Sequence, residues 1–276
     1  MKKRTVFIFV GLILLFFIGS FIVQPPAGEH IAINEAMRDA VLHEVNQISL
    51  FGIIDVSPAV ISGLVVTAIL LAMALVLRLF VIPKFTMVPG KLQLILEMVV
   101  GYFSDLAKTN SPHQYKLLGA YIFGAGMYIF FGTLLELFGF QWITTKGVSI
   151  SLPAPLADIN AAISLGVLSY LFIVFGGVKA KGSKGLVDGL KEFSLPISMS
   201  FRLFGSLLSG LMVTELVYHY IQLSYVLPVI VAILFTLLHA VIQAYVLTML
   251  TSIYYGSMTA REEEPSTTTM KSEASA

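Results

Sequence analysis

Long apolar runs constrain this 276-residue chain more than any other feature: 5–23, 57–81, 115–140, 157–178, 196–222 and 226–256. A helix needs about 20 apolar residues to cross the hydrocarbon core of a bilayer. In that core every backbone N–H and C=O must be satisfied internally, which leaves helices as the natural form for runs of this length. Only 12% of the residues are charged and 57% are hydrophobic, against roughly one quarter charged in a soluble domain. The expected fold is therefore an all-α integral membrane protein. Five spans are expected, or six with the first run, and the last two form a hairpin of long helices.

The formal charge of +1 creates no field that would attract nucleic acid. With no cysteine, disulfides, thiol catalysis and cysteine metal sites are excluded. No cofactor or metal site is expected.

Four regions follow from the pattern. Residues 1–28 hold the first apolar run behind Lys2, Lys3 and Arg4, a pattern shared by signal peptides and true spans. Its length of nineteen residues, followed by prolines where a cleavage site would fall, favours a retained helix. Residues 29–56 read as a polar connector outside the bilayer, of which 29–48 also suit a surface helix. Residues 57–258 form the membrane domain, with a turn near Ser224 to Pro228. Residues 259–276 are small and polar, and are expected to be disordered. Lys84 and Lys91, then Lys179, Lys181, Lys184 and Lys191, cluster in two short loops, whereas loop 141–156 holds only Lys146. The positive-inside rule makes the lysine-rich loops cytoplasmic. The C-terminus follows, as does the N-terminus if residues 5–23 are retained.

One residue stands out within these runs. Arg202 lies in LPISMSFRLFGSLLSG, and an always-charged guanidinium in an apolar helix is costly enough to mark a pathway or switch. Around it Ser198, Gly205, Ser206, Ser209 and Gly210 recur at helical spacing as a narrow small-residue face, the kind that admits a neighbouring helix closely. Packing alone has no use for a guanidinium there, whereas a mobile carboxylate on a partner helix requires one. Further along, Glu215 and His219 are spaced i and i+4, and Thr236, His239 and Gln243 lie at i, i+3 and i+7 on the next helix. The two polar stripes suit an aqueous slot. His219 also fits a place near the outer headgroups, while Gln243 suits either a structural bond or orientation of the arginine. Asp158, beside Asn160 at the start of a span, reads as a cap on the helix dipole. Glu136 and Asp188 read as solvated helix ends.

These segments resemble subunit a of the F-type ATP synthases: VPGKLQLILEMVVGYF at 88–103, LPAPLADINAAISLGVL at 152–168, PISMSFRLFGSLLSG at 196–210 and LLHAVIQAYVLTMLTSIYY at 237–255. The resemblance implies a non-catalytic stator in a bacterial-type inner membrane, partnered by a ring of c subunits, the b-subunit peripheral stalk and the rest of the synthase. It implies two half-channels through which H+ or Na+ loads and leaves c-ring carboxylates, and an arginine facing the ring on a hairpin of two long tilted helices. Arg202 and Gln243 occupy the family's arginine and glutamine positions, and Asp188 sits where a cytoplasmic-side acid is common. Ser206 stands where asparagine is frequent. Leu211 and Thr236 occupy the positions that often carry the uptake channel's carboxylate and its partner. Glu215 and His239 lie about one turn beyond these positions and are expected to take over their roles.

Two other classes fit parts of the pattern. An intramembrane serine hydrolase would need Ser206 or Ser209 hydrogen-bonded to His239. A secondary transporter would need an inverted repeat, and none is evident in the sequence.

Overall fold

The structure, a computed structural model, describes Gly11 and residues 48–50, 54–143, 149–219 and 227–260. The first apolar run, the connector up to residue 47, the 220–226 turn and the C-terminal segment from 261 lie outside the described residues. Strands β1 (Ile48–Leu50) and β2 (Ile54–Val56) open the described chain as an antiparallel hairpin, with Ile48 opposite Val56. The end of the expected polar connector is thus extended.

Helix α1 (Pro58–Val76) begins with proline at its first position, where the missing N–H costs nothing. It continues through a π turn (Leu77–Val81) and a 3-10 turn (Ile82–Lys84), ending where Pro83 interrupts the hydrogen-bond ladder. Helix α2 (Lys91–Asn110) is amphipathic, turns at Ser111 to Gln114, and folds back along α3 (Tyr115–Leu137). It has no counterpart among the expected spans, because Lys91, Glu97, Asp105 and Lys108 break its apolar run. Strands β3 (Gln141–Ile143) and β4 (Ser149–Ser151) make a second hairpin in the loop before α4 (Ile159–Lys181). A short helix, α5 (Ser183–Lys191), occupies the second lysine-rich loop. It is followed by α6 (Ser194–His219) and α7 (Leu227–Thr259).

Among the described residues four segments are long and apolar enough to cross a membrane: Pro58–Lys84, Tyr115–Leu137, Ile159–Lys181 and Ile233–Thr259. Helix α6 has 26 residues but carries Arg202 and Glu215. Helix α7, at 33 residues, is about 50 Å long against a hydrocarbon core of about 30 Å.

The core lies where α3, α4, α6 and α7 meet. Tyr121 stacks on Phe172 (4.1 Å between centroids) and Phe172 on Tyr255 (5.0 Å), an aromatic ladder across three helices. Tyr255 is fully buried and its hydroxyl donates to Gln114 Oε1 at 2.7 Å, while the Tyr121 hydroxyl pairs with Ser169 Oγ at 2.8 Å. Glycines make these approaches possible. A Cβ on Gly176 would fall on the Tyr255 ring, and one on Gly166 would fall on Ser200 Oγ. Outside this core, large apolar side chains such as Leu71, Phe80, Phe175 and Leu234 face outward. Such surfaces suit lipid or a membrane partner.

Gly176→Val should lower the stability of the detergent-solubilised protein by about 1 to 3 kcal/mol, because the Tyr255 ring has no room to withdraw. Gly124→Val, where a Cβ meets open space, should leave the thermal midpoint nearly unchanged. Equal midpoints for the two variants would refute the close packing.

Candidate functional site

Pro196, Met199, Ser200, Leu203 and Leu207 form the inward face of α6. Ser200 seats against Gly166 of α4, and its hydroxyl donates to Pro196 O at 2.6 Å. Each helical residue advances about 100°, so Arg202 stands about 200° around the helix from Ser200. The guanidinium is accordingly exposed, alongside Ser198, Phe201, Gly205 and Ser209. Among the described residues it has no hydrogen-bond or ion-pair partner. A Cβ on Gly205 would meet open space, so the surface beside the arginine is shallow.

Gln243 of α7 approaches α6 from inside the protein and is 5% exposed. Its amide nitrogen donates to Ser206 Oγ and to the Arg202 carbonyl oxygen at 3.5 Å. Ser206 Oγ in turn donates to Leu203 O at 3.1 Å, and Ser209 donates to Ser206 O at 2.7 Å. Gln243 Oε1 is buried with no partner among the described residues. The glutamine thus ties the arginine's own backbone to α7.

One turn earlier on α7, half-buried His239 lies against Gly210, where a Cβ would come within 3.2 Å of Cε1 and Nδ1. Its ring tilts on Phe235 at 5.8 Å. Thr236 is buried, 8% exposed. The α6–α7 contact therefore brings Arg202, Ser206 and Gly210 opposite Gln243 and His239. Glu215 and His219 are helical in backbone within α6, but their side chains, with that of Leu211, lie outside the described residues. Ser206 and Ser209 donate to backbone carbonyls rather than to His239, so the nucleophile–base pair of a hydrolase is not formed.

The other polar residues sit elsewhere. Asp158 caps α4, its Oδ1 accepting from Asn160 N at 2.8 Å while Oδ2 accepts from Ser57 Oγ at 2.6 Å. It therefore also ties the start of α4 to the start of α1. The Asn160 side chain is exposed, and Glu136 is half-buried in the last turn of α3. Asp188 lies on α5, bound to Lys191 at 2.9 Å. That bond and charge, with Lys181 and Lys184 adding to them, hold its carboxyl below the usual carboxylate range. Whatever the ion pair contributes to α5 is present at neutral pH and lost as the pH falls through that lowered value.

Sequence reasoning did not single out Gly166 or Ser200, which set the azimuth of Arg202. The available signal was a small residue in each of two apolar runs, which many packing positions share.

Continuous apolar helices with outward-facing Leu, Ile and Phe, and an exposed guanidinium whose backbone is bonded to a buried glutamine, define a multi-pass α-helical membrane protein with a polar site between two helices. Residues 61–256 match the family described as ATP synthase A chain. The chain is 26% identical over 204 residues to ATP synthase subunit a of Shewanella baltica strain OS155, covering 60% of this chain and 75% of that protein. It is 27% identical over 224 residues to ATP synthase subunit a of Haemophilus influenzae strain PittEE, covering 66% and 83%. The chain belongs to the ATP synthase A chain family. It is a non-catalytic Fo subunit that works with the remainder of an F-type ATP synthase.

Removing the cap tests the scaffold beneath the site. Asp158→Ala should cost about 1 to 2 kcal/mol, seen as a lower thermal midpoint of the solubilised protein, and Asp158→Asn less. An unchanged midpoint for the alanine variant would show that the cap carries no stability.

Proposed function

We propose that this subunit is the ion-translocating stator of a rotary ATP synthase in a bacterial inner membrane, with its C-terminus in the cytoplasm. In this reading Arg202 faces the c-ring, and the b-subunit stalk holds the chain against rotation. The observation that carries it is the exposed Arg202 guanidinium on an apolar helix, without a partner among the described residues, while its backbone is bonded to Gln243. A charge held this way answers a partner that arrives from outside the chain.

Ions enter one half-channel and neutralise a c-ring carboxylate, which then moves through lipid. On reaching Arg202 the carboxylate is favoured in its ionised form and releases its ion toward the cytoplasm. At about 4 Å and an effective dielectric of about 20, the attraction is about 4 kcal/mol, or about a thousandfold in the ionised-to-neutral ratio. The fixed charge also blocks direct passage of cations between the half-channels. Lysine would serve less well, because a buried ammonium can lose its proton. Gln243 orients the arginine through its backbone carbonyl, and Ser206 holds the glutamine in place. Glu215 and His239 form the uptake relay in place of Leu211 and Thr236, while Thr236, Glu136 and His219 serve as further channel or structural polar groups. Asp188 stands at the exit side. The ion, H+ or Na+, is selected mainly by the c-ring carboxylate site.

Arg202→Ala should reduce gradient-driven ATP synthesis in membrane vesicles to background while hydrolysis by the detached catalytic head is unchanged. Sustained coupled synthesis would refute the role. Glu215→Gln with His239→Ala should slow ion uptake more than Leu211→Ala with Thr236→Ala, measured by quenching of a pH-sensitive dye in the same vesicles. The reverse order would return the relay to the usual positions.

A further inference from the structure

Away from the α6–α7 site, α1 and α3 meet where Gly63 faces the Tyr128 hydroxyl and then part toward the Lys84 end of the molecule. The gap between them, floored by α2 and backed by α7, is a cavity of about 990 Å³. Leu71, Ala74 and Leu77 of α1, Leu96 of α2, and Phe123 and Met127 of α3 are among its lining, which is almost entirely hydrocarbon. A second cavity, of about 580 Å³, lies where α1 ends and α2 begins. Phe80 and Val81 in its wall follow Leu77 by about one turn, and Leu92 and Gln93 precede Leu96 by about one turn. The two cavities therefore succeed each other along a single α1–α2 cleft.

The second cavity differs in chemistry. Lys84 and Lys91 both line it, and among the described residues neither has an ion-pair partner. Gln93 clasps the loop, accepting from Thr86 N at 3.2 Å and donating to Thr86 O at 3.0 Å. It also donates to Glu97 Oε1 at 2.7 Å, which engages the nearest carboxylate on α2. Met87 and Val88 at the loop tip are almost fully exposed, as expected of a loop resting in the membrane interface.

We propose that this cleft holds an anionic phospholipid, its phosphate between Lys84 and Lys91 and its acyl chains in the cavity between α1 and α3. An apolar interior continuous with a doubly cationic mouth at the membrane edge matches a molecule with two hydrocarbon chains and one negative head. A transmembrane helix fits less well. About 990 Å³ accommodates about eight residues of a helix about 10 Å wide, under half of a span of about 20, whereas acyl chains conform to an irregular gap. The lysines stand on the side where the positive-inside rule puts the cytoplasm, the leaflet that carries anionic lipid. The bound lipid would fill the wedge between α1 and the rest of the bundle, and so hold α1 in place.

The test uses the purified synthase complex, delipidated and then exposed to mixed micelles of phosphatidylglycerol and phosphatidylcholine in equal amounts, with bound lipid counted by native mass spectrometry. Phosphatidylglycerol should be retained in preference. Lys84→Gln with Lys91→Gln should lower that preference by about thirtyfold, about fivefold for each lysine beside an anionic head. Lys84→Arg with Lys91→Arg should keep it. Ala74→Trp, which fills the apolar part and leaves both lysines, should lower retention of both lipids. In a chain otherwise unchanged, a benzophenone side chain at Leu96 should crosslink to lipid. Retention in proportion to the micelle composition, or an unchanged preference in the Lys84→Gln, Lys91→Gln variant, would overturn the proposal. So would a Leu96 crosslink to a polypeptide, whether another subunit or this chain's own 5–23 segment.

Discussion

A guanidinium on a membrane helix is useful only if its direction is fixed, and here the direction depends on how closely α6 can lie against α4. Gly166 removes the side chain that would hold the helices apart, and Ser200 fills the space while returning its hydroxyl to Pro196 O. Met199, Leu203 and Leu207 extend that contact along the same face. With this face pinned inward, the opposite face bearing Arg202 has one orientation available. In hydrocarbon no hydrophobic force draws helices together, so close backbone approach through small residues is how such a contact is held.

Helix α7 adds the second constraint. It is long enough to reach from the buried Tyr255–Gln114 bond at one end, past Gln243, to His239 and Thr236. Gln243 bonds to the backbone of the arginine and to Ser206, rather than spending both ends of its amide on structure. A buried acceptor without a partner among the described residues costs stability; Thr248 and Thr259 satisfy their hydroxyls through backbone carbonyls, whereas Thr251 Oγ1 shares the condition of Gln243 Oε1. The neighbouring serines Ser206 and Ser209 donate to backbone carbonyls of their own helix beside Gln243.

Elsewhere the scaffold separates its two ends. Asp158 joins the start of α1 to the start of α4. At the other end, Ser111 and Thr259 meet at 3.0 Å, and Gly185 lets α5 rest on the α4 backbone at Gly177. Between them α1 is held mainly at one end, which opens the α1–α2 cleft.

The apolar runs alone determined the fold class and the approximate spans, because the bilayer admits only helices that satisfy their own backbone over about 20 residues. Arg202, Gln243 and the capping place of Asp158 were legible for similar reasons. A charge, an amide and a carboxylate are costly in or beside such runs and so stand out against the apolar pattern. Helix α2 was not legible, since its four charged residues hide an amphipathic helix whose apolar side lines a cavity and, at Phe103, Leu106 and Ala107, joins the core. Nor were the hairpin in the 141–156 loop, the bond from Gln243 to Ser206, or the contact of His239 with Gly210. Periodicity reports the face a residue occupies on its own helix and is silent about which helix that face meets. Only the tertiary structure decided that Ser200 turns inward on Gly166 and Arg202 turns out. That choice belongs to two small residues 34 positions apart, whose proximity is a property of the packed bundle.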